Sequence, residues 1–209
     1  MGHLRVKGSL KFEIMKGKTP FKNRFSETVL RMFFFGVLFS FVFVSRAQSL
    51  FEMNSGVITF ESKALLENII ATSNQAKGIV NISQNTFAFS VEINSFKGFN
   101  SELQKEHFNE NYLESDIYTK STFSGKLIDK FDPSKATQTI RSKGQLEIHG
   151  IKQERIISVT LVKSGANYTL SADFNVLLAD FGISVPRIVN QKIAEIIFVT
   201  IRGTIKPKQ

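Results

Sequence analysis

His107 and His149 are the side chains of this 209-residue chain whose type first suggests chemistry. His107 stands in Glu106-His107-Phe108, and His149 precedes Gly150. A nucleophilic mechanism needs a hydroxyl or thiol held against a base that a third group orients. A zinc site needs three or four ligands drawn from His, Cys and carboxylates. The chain has no cysteine, and its remaining histidine, His3, lies far upstream. These two histidines plus a carboxylate are therefore the metal set on offer, and nothing in their spacing gathers them. His107 is expected on a helix surface or pocket rim. His149 is expected as a turn residue that caps or packs locally. Asp180-Phe181-Gly182 matches a kinase tripeptide, but no Gly-rich loop, catalytic-loop motif or kinase-sized domain accompanies it. Gly-x-Ser-x-Gly and phosphate-cradling loops are absent as well. The expectation is no enzyme: no catalytic residues, no metal and no cofactor of its own.

The elements that position these residues are strands. Alternation with period two, the mark of a strand with one buried face, runs through most of the chain. Phe87, Phe89, Val91 and Ile93 point one way in TFAFSVEIN, with Ala88, Ser90, Glu92 and Asn94 opposite. Phe123, Gly125 and Leu127 share a face, as do Gly144, Leu146 and Ile148, and then Ile157, Val159 and Leu161. Tyr168, Leu170, Ala172, Phe174 and Val176 follow, and a closing strand carries Ile197, Val199, Ile201, Gly203 and Ile205. Val57–Ser62 and Ala76–Ile82 make eight candidate strands, separated by turn-like clusters such as Ser83-Gln84-Asn85. One segment breaks the rhythm. Ser101-Glu102-Leu103-Gln104 has the form of a capping box, and a helix is expected from Ser101 to about Asn111. Leu103, Phe108 and Tyr112 would lean inward from it, with Lys105, Glu106 and Glu110 towards water.

Upstream, RMFFFGVLFSFVFVSRAQS holds an apolar run from Met32 to Val44. A helix needs about 20 apolar residues to cross a bilayer core, so the run is too short to span. It fits the apolar segment of a secretory signal, with Lys16, Lys18, Lys22, Arg24 and Arg31 before it. Ser45-Arg46-Ala47 suits cleavage before Gln48, and Met15 offers an alternative start that shortens an otherwise long leader. Residues 1–47 are thus expected to be removed, leaving 48–209 as one domain with no stable membrane span. The leader carries nine Lys/Arg and two acidic residues, so 18 basic and 16 acidic side chains remain. The net charge falls from +9 to +2, which removes the argument for nucleic-acid binding. The product is expected to be soluble, in the periplasm or secreted, and to hold its fold without disulfides.

Eight antiparallel strands with one apolar face can form a sandwich or a closed barrel, whose interior holds side chains or one small ligand. The chain has 21 Phe, no Trp and three Tyr, so inward positions carry apolar surface with few polar handles. Such a lining suits an aliphatic or isoprenoid chain recognised mostly by burial. Phenylalanines filling a dry core would show the same periodicity, and the residues alone leave both open.

From Ser55 to Pro207 the chain resembles the YceI-like family, secreted bacterial proteins also called polyisoprenoid-binding. SGVITFES resembles the family's first strand. SFKGFNSELQKEHFNENYLESDIYTKSTFSG resembles its central block, a polar helix carrying a histidine and then a Phe-containing strand. GQLEIHGIKQE resembles its Gly-x-Leu-x-Ile-His-Gly strand and turn, and ADFNVLLADFGISVP its late strand with Asp-Phe-Gly-Ile. Tyr118-Thr119 stands where many members have Tyr-Pro, and Ala179 where a basic residue is common.

The resemblance implies an all-β fold with one inserted helix: an antiparallel, lipocalin-like barrel of about eight strands around an elongated apolar pocket. It implies Phe89, Val91, Phe96, Phe108, Phe123, Leu146, Ile148 and Phe174 as pocket lining, with His107, Tyr112 and Tyr118 as polar contacts at the mouth. The partner implied is a hydrophobic or amphiphilic lipid, an isoprenoid or quinone-like chain, held for transport or sequestration; a homodimer stays open. The alternative is a structural or interaction module of the cell envelope with a filled core.

Overall fold

A computed structural model describes residues 50–208, and the candidate leader lies outside them. The described residues belong to one compact unit. Eight strands build it: β1 (Leu50–Lys63), β2 (Asn68–Asn81), β3 (Thr86–Glu92), β4 (Lys120–Leu127), β5 (Thr137–Ile148), β6 (Ile151–Ser164), β7 (Asn167–Leu177) and β8 (Ile196–Pro207). Each pairs antiparallel with the next in sequence, and β1 pairs with β8 to close the barrel. All eight expected segments are strands, several longer than the alternation showed.

The alternation is physical. In β5, Gln138, Ile140, Ser142, Gly144 and Leu146 are buried, while Thr139, Arg141, Lys143 and Gln145 are exposed. A closed eight-stranded barrel leaves no unpaired edge, so each inward side chain must fill the lumen or line it. Outside, charges pair across neighbouring strands, as in Lys120–Glu92 at 3.1 Å and Lys143–Glu154 at 3.0 Å. Such exposed pairs contribute at most about 1 kcal/mol each, so closure rests on the interior.

The two ends of the barrel differ. Where β1 begins, the lumen is packed shut. Phe51, Phe131 and Tyr168 meet edge-on or tilted, with centroids 5.2–6.3 Å apart, over Met53, Val80, Ile140, Leu161 and Ile205. Burial raises the pKa of the Tyr168 phenol, with Asp132 adding to the effect. The β4–β5 connection that carries Phe131 is pinned twice. Buried Gln138 accepts from the Asp132 amide at 3.0 Å and donates to the Asp132 carbonyl at 2.9 Å. Arg141 donates to Asp129 from Nε at 3.0 Å and from its backbone at 2.8 Å.

The other end carries the long connections. Residues 93–119 join β3 to β4 and contain helix α1 (Glu102–His107), which continues as one π-helical turn over Phe108–Tyr112. Residues 178–195 join β7 to β8 through two short 3-10 turns. Ser101 caps α1 as expected, its Oγ accepting from the Gln104 amide at 3.1 Å. The reciprocal half of the box is displaced by one residue: Gln104 Oε1 accepts from the Asn100 amide at 3.0 Å, not from Ser101.

Candidate functional site

Above the packed floor lies a cavity of about 570 Å³, within the usual size of a small-ligand site. Its wall is built by strand parity. Phe89 and Val91 on β3, Phe123 on β4, Leu146 and Ile148 on β5 and Phe174 on β7 all line it. Phe96, His107, Phe108 and Tyr112 line it from the β3–β4 connection. Phe87 and Phe123 pack at 4.8 Å between centroids, so the β3–β4 wall is aromatic. Phe89 lies across the strand from Gly78, where an added Cβ would fall 2.0 Å from the ring. The missing side chain is what lets that ring lie flat against the wall.

Tyr118 departs from its expected place: it does not line the cavity. Glu114 adopts φ +43 and its carbonyl accepts from the Ile117 and Tyr118 amides at 2.8 and 2.9 Å. That turn directs the Tyr118 ring onto His149, 4.8 Å between centroids, and over Gly150, where a Cβ would lie 2.4 Å away. Leu103 lines the cavity as expected but is exposed, because α1 covers the opening instead of packing into it.

The two histidines serve separate places. His107 is exposed on α1 at the rim. His149, at φ +51 in the β5–β6 turn, sets Nε2 2.6 Å from the Glu114 carboxylate and Nδ1 3.3 Å from the Phe181 carbonyl. It joins the turn to both long connections. Among the described residues, no three His, Cys, Asp or Glu side chains gather as a metal would require. Asp180-Phe181-Gly182 is a structural staple. Asp180 pairs with Arg155, whose guanidinium also sits 5.7 Å from the centroid of the fully buried Phe181.

Several lining residues escaped the sequence reading. Phe60 on β1 stacks on Phe108 at 5.3 Å and 17°, and Phe96 and Phe99 complete a four-ring cluster beside the opening. Phe60 was legible, since Ile58, Phe60 and Ser62 alternate in GVITFES. Phe99 was not, because it follows Gly98 at φ +101 in an aperiodic loop. Glu67 carries no motif. It accepts from Asn100 and Gln104, both at 3.0 Å, and so moors α1 to the β1–β2 turn. Burial raises the Tyr112 pKa and keeps it a neutral phenol at the cavity wall. The arrangement can exclude water from a long apolar chain and meet a polar head among Ser101, Gln104, His107, Tyr112 and Lys192 near the opening.

The chain matches the YceI-like domain over residues 47–205. No curated protein matches it. Among solved structures it is similar to a polyisoprenoid-binding domain from Saccharophagus degradans, with TM-score 0.65 and 10% identity, covering 76% of this chain and 98% of that one. Burkholderia cenocepacia BcnA gives TM-score 0.60 at 13% identity, covering 71% and 95%. The Campylobacter jejuni YceI protein gives 0.57 at 14%, covering 69% and 88%. At these identities the likeness concerns the fold.

Proposed function

The chain belongs to the YceI-like family, and from that premise we propose that its barrel holds an isoprenoid, or an amphiphilic lipid of similar girth, for transport or sequestration. The observation that carries the reading is the apolar cavity, walled largely by phenylalanines and aliphatic side chains, with Ser142 a buried hydroxyl on the inner wall and further polar groups near the opening. An isoprenoid offers no hydrogen bonds along its chain, so a wall with few polar handles costs it little in unpaired groups. The polyisoprenoid-binding domain of S. degradans has the same fold, which supports the ligand class. Basic residues before a short apolar run support a periplasmic or secreted location. The filled-core alternative describes the floor around Phe51, Phe131 and Tyr168, but the region above it holds space for a ligand.

At about 30 Å³ per water-sized group, 570 Å³ admits on the order of 20 carbon atoms, about four isoprene units. Native mass spectrometry of residues 48–209 from a bacterial periplasm, with lipid extraction, tests the reading. A stoichiometric long-chain lipid is expected. In titrations with isoprenoid alcohols, affinity should rise with length and level off near about four units. A lipid-free protein that ignores every alcohol would refute the proposal.

A further inference from the structure

Beside the opening, two segments carry large apolar side chains that nothing in the unit covers. Leu65 and Leu66, in the β1–β2 turn, are 82% and 65% exposed, and Ile188, in the β7–β8 connection, is 92% exposed. The segments are tied together: the Leu66 amide donates to the Gln191 carbonyl at 2.7 Å, and the Ala194 amide to Ser62 Oγ at 2.9 Å. Neighbours of both, Glu67, Val189 and Ile193, line the cavity, so this lip is continuous with its edge.

Charge around the opening is uneven. The lip carries exposed Lys63, Arg187 and Lys192. Its acidic residues are Glu67, engaged by Asn100 and Gln104, and Glu195 at the foot of β8. α1 starts beside the lip, where Glu67 holds Asn100 and Gln104, and from there towards the β5–β6 turn, where Glu114 meets His149, the chain holds Glu106, Glu110, Glu114 and Asp116 against His107. Protruding apolar side chains flanked by cations match a bilayer with anionic headgroups, where burial and charge attraction add.

We infer that the lip of Leu65, Leu66 and Ile188, with Lys63, Arg187 and Lys192, docks the barrel on an anionic lipid bilayer, tilted so that the acidic residues from Glu106 to Asp116 stay away. Docking there sets the cavity edge against the bilayer, so a lipid passes between them without crossing water. The inference rests on the lipid-binding reading but is tested apart from it.

The test is co-sedimentation of residues 48–209 with vesicles of phosphatidylcholine, with and without about one third phosphatidylglycerol. The protein should favour the anionic vesicles, and Leu65→Asp with Leu66→Asp and Ile188→Asp should reduce the bound fraction at least ~tenfold. Lys63→Gln with Arg187→Gln and Lys192→Gln should abolish the preference for the anionic vesicles. Farnesol, added in solution without vesicles, should still bind the leucine–isoleucine variant, which also reports that it is folded. Equal vesicle binding by wild type and that variant, or none by wild type, overturns the docking surface. Farnesol uptake by wild type in that same experiment leaves the carrier reading standing; its loss would remove that reading instead.

Discussion

Ala172 stands on the inner face of β7 between Leu170 and Phe174, is 5% exposed and lines the cavity opposite Ile201 of β8. Ala172→Phe places an aromatic ring there. The ring brings about six carbons into a space that admits on the order of 20, leaving room for about 14, fewer than three isoprene units. A four-unit alcohol must then leave about six carbons unburied. At roughly 0.3 kcal/mol per ligand atom that costs about 1.8 kcal/mol, or about twentyfold in affinity, and full hydrophobic burial would set a higher ceiling. Two-unit alcohols should bind as before. Displacement of a fluorescent fatty-acid analogue measures both affinities. Because the ring enters empty space, urea midpoints of the unliganded protein should not show the ~1–3 kcal/mol loss that overpacking a filled core brings. Equal weakening of short and long alcohols, or an unchanged four-unit affinity, would refute the idea that the chain runs past Ala172. A large stability loss would show that the lumen is filled there.

Phe123→Asp sets a carboxylate in the aromatic wall and should abolish retention of co-purifying lipid, read by mass spectrometry on a protein whose circular dichroism is unchanged; undiminished lipid would move the site elsewhere. Phe131→Ala opens the floor and should lower stability by ~3–5 kcal/mol in urea titrations while isoprenoid alcohols still bind, because Phe131 lies below the cavity. Gly78→Ala must displace the Phe89 ring, so affinity for the long alcohols should fall more than that for the short ones in the same displacement assay. Hydrogen bonds and charge from Arg141 hold the Asp129 carboxyl at about 2, against an ordinary 3.8. The stability this pair gives is present above pH 3.8 and disappears as pH falls to about 2. Melting curves of wild type and Asp129→Asn should therefore differ at pH 6 and converge near pH 2; a gap that persists at pH 2 would assign it to another cause.

The strands were legible because the inner and outer faces of a barrel impose opposite solubility on neighbouring residues, and TFAFSVEIN and KGQLEIHG keep that rule without interruption. Parity also named most of the wall. It could not tell a lumen from a packed layer, since Phe87 and Phe51 are equally buried although Phe87 borders the cavity and Phe51 plugs the floor. The distinction depends on depth along the barrel, which alternation does not encode. Tyr118 was misplaced for another reason. The left-handed Glu114 reverses the chain ahead of it, and such a conformation in a non-glycine residue leaves no mark in composition. Glu67 was missed because its role lies in two amides more than thirty residues away.

Seven of the eight strand pairings join sequence neighbours, while the β1–β8 seam joins segments separated by about 130 residues. Loop-closure entropy grows as the logarithm of length, so the seam costs roughly 3 kcal/mol more to bring together than a tight hairpin of about four residues. The seam should therefore zip last. Until it does, the chain is an open sheet whose first and last strands both offer unpaired amides to any neighbouring molecule. The barrel's vulnerability to aggregation is thus concentrated in the interval before β8 arrives, and a chaperone guarding this chain has most to gain by shielding β1.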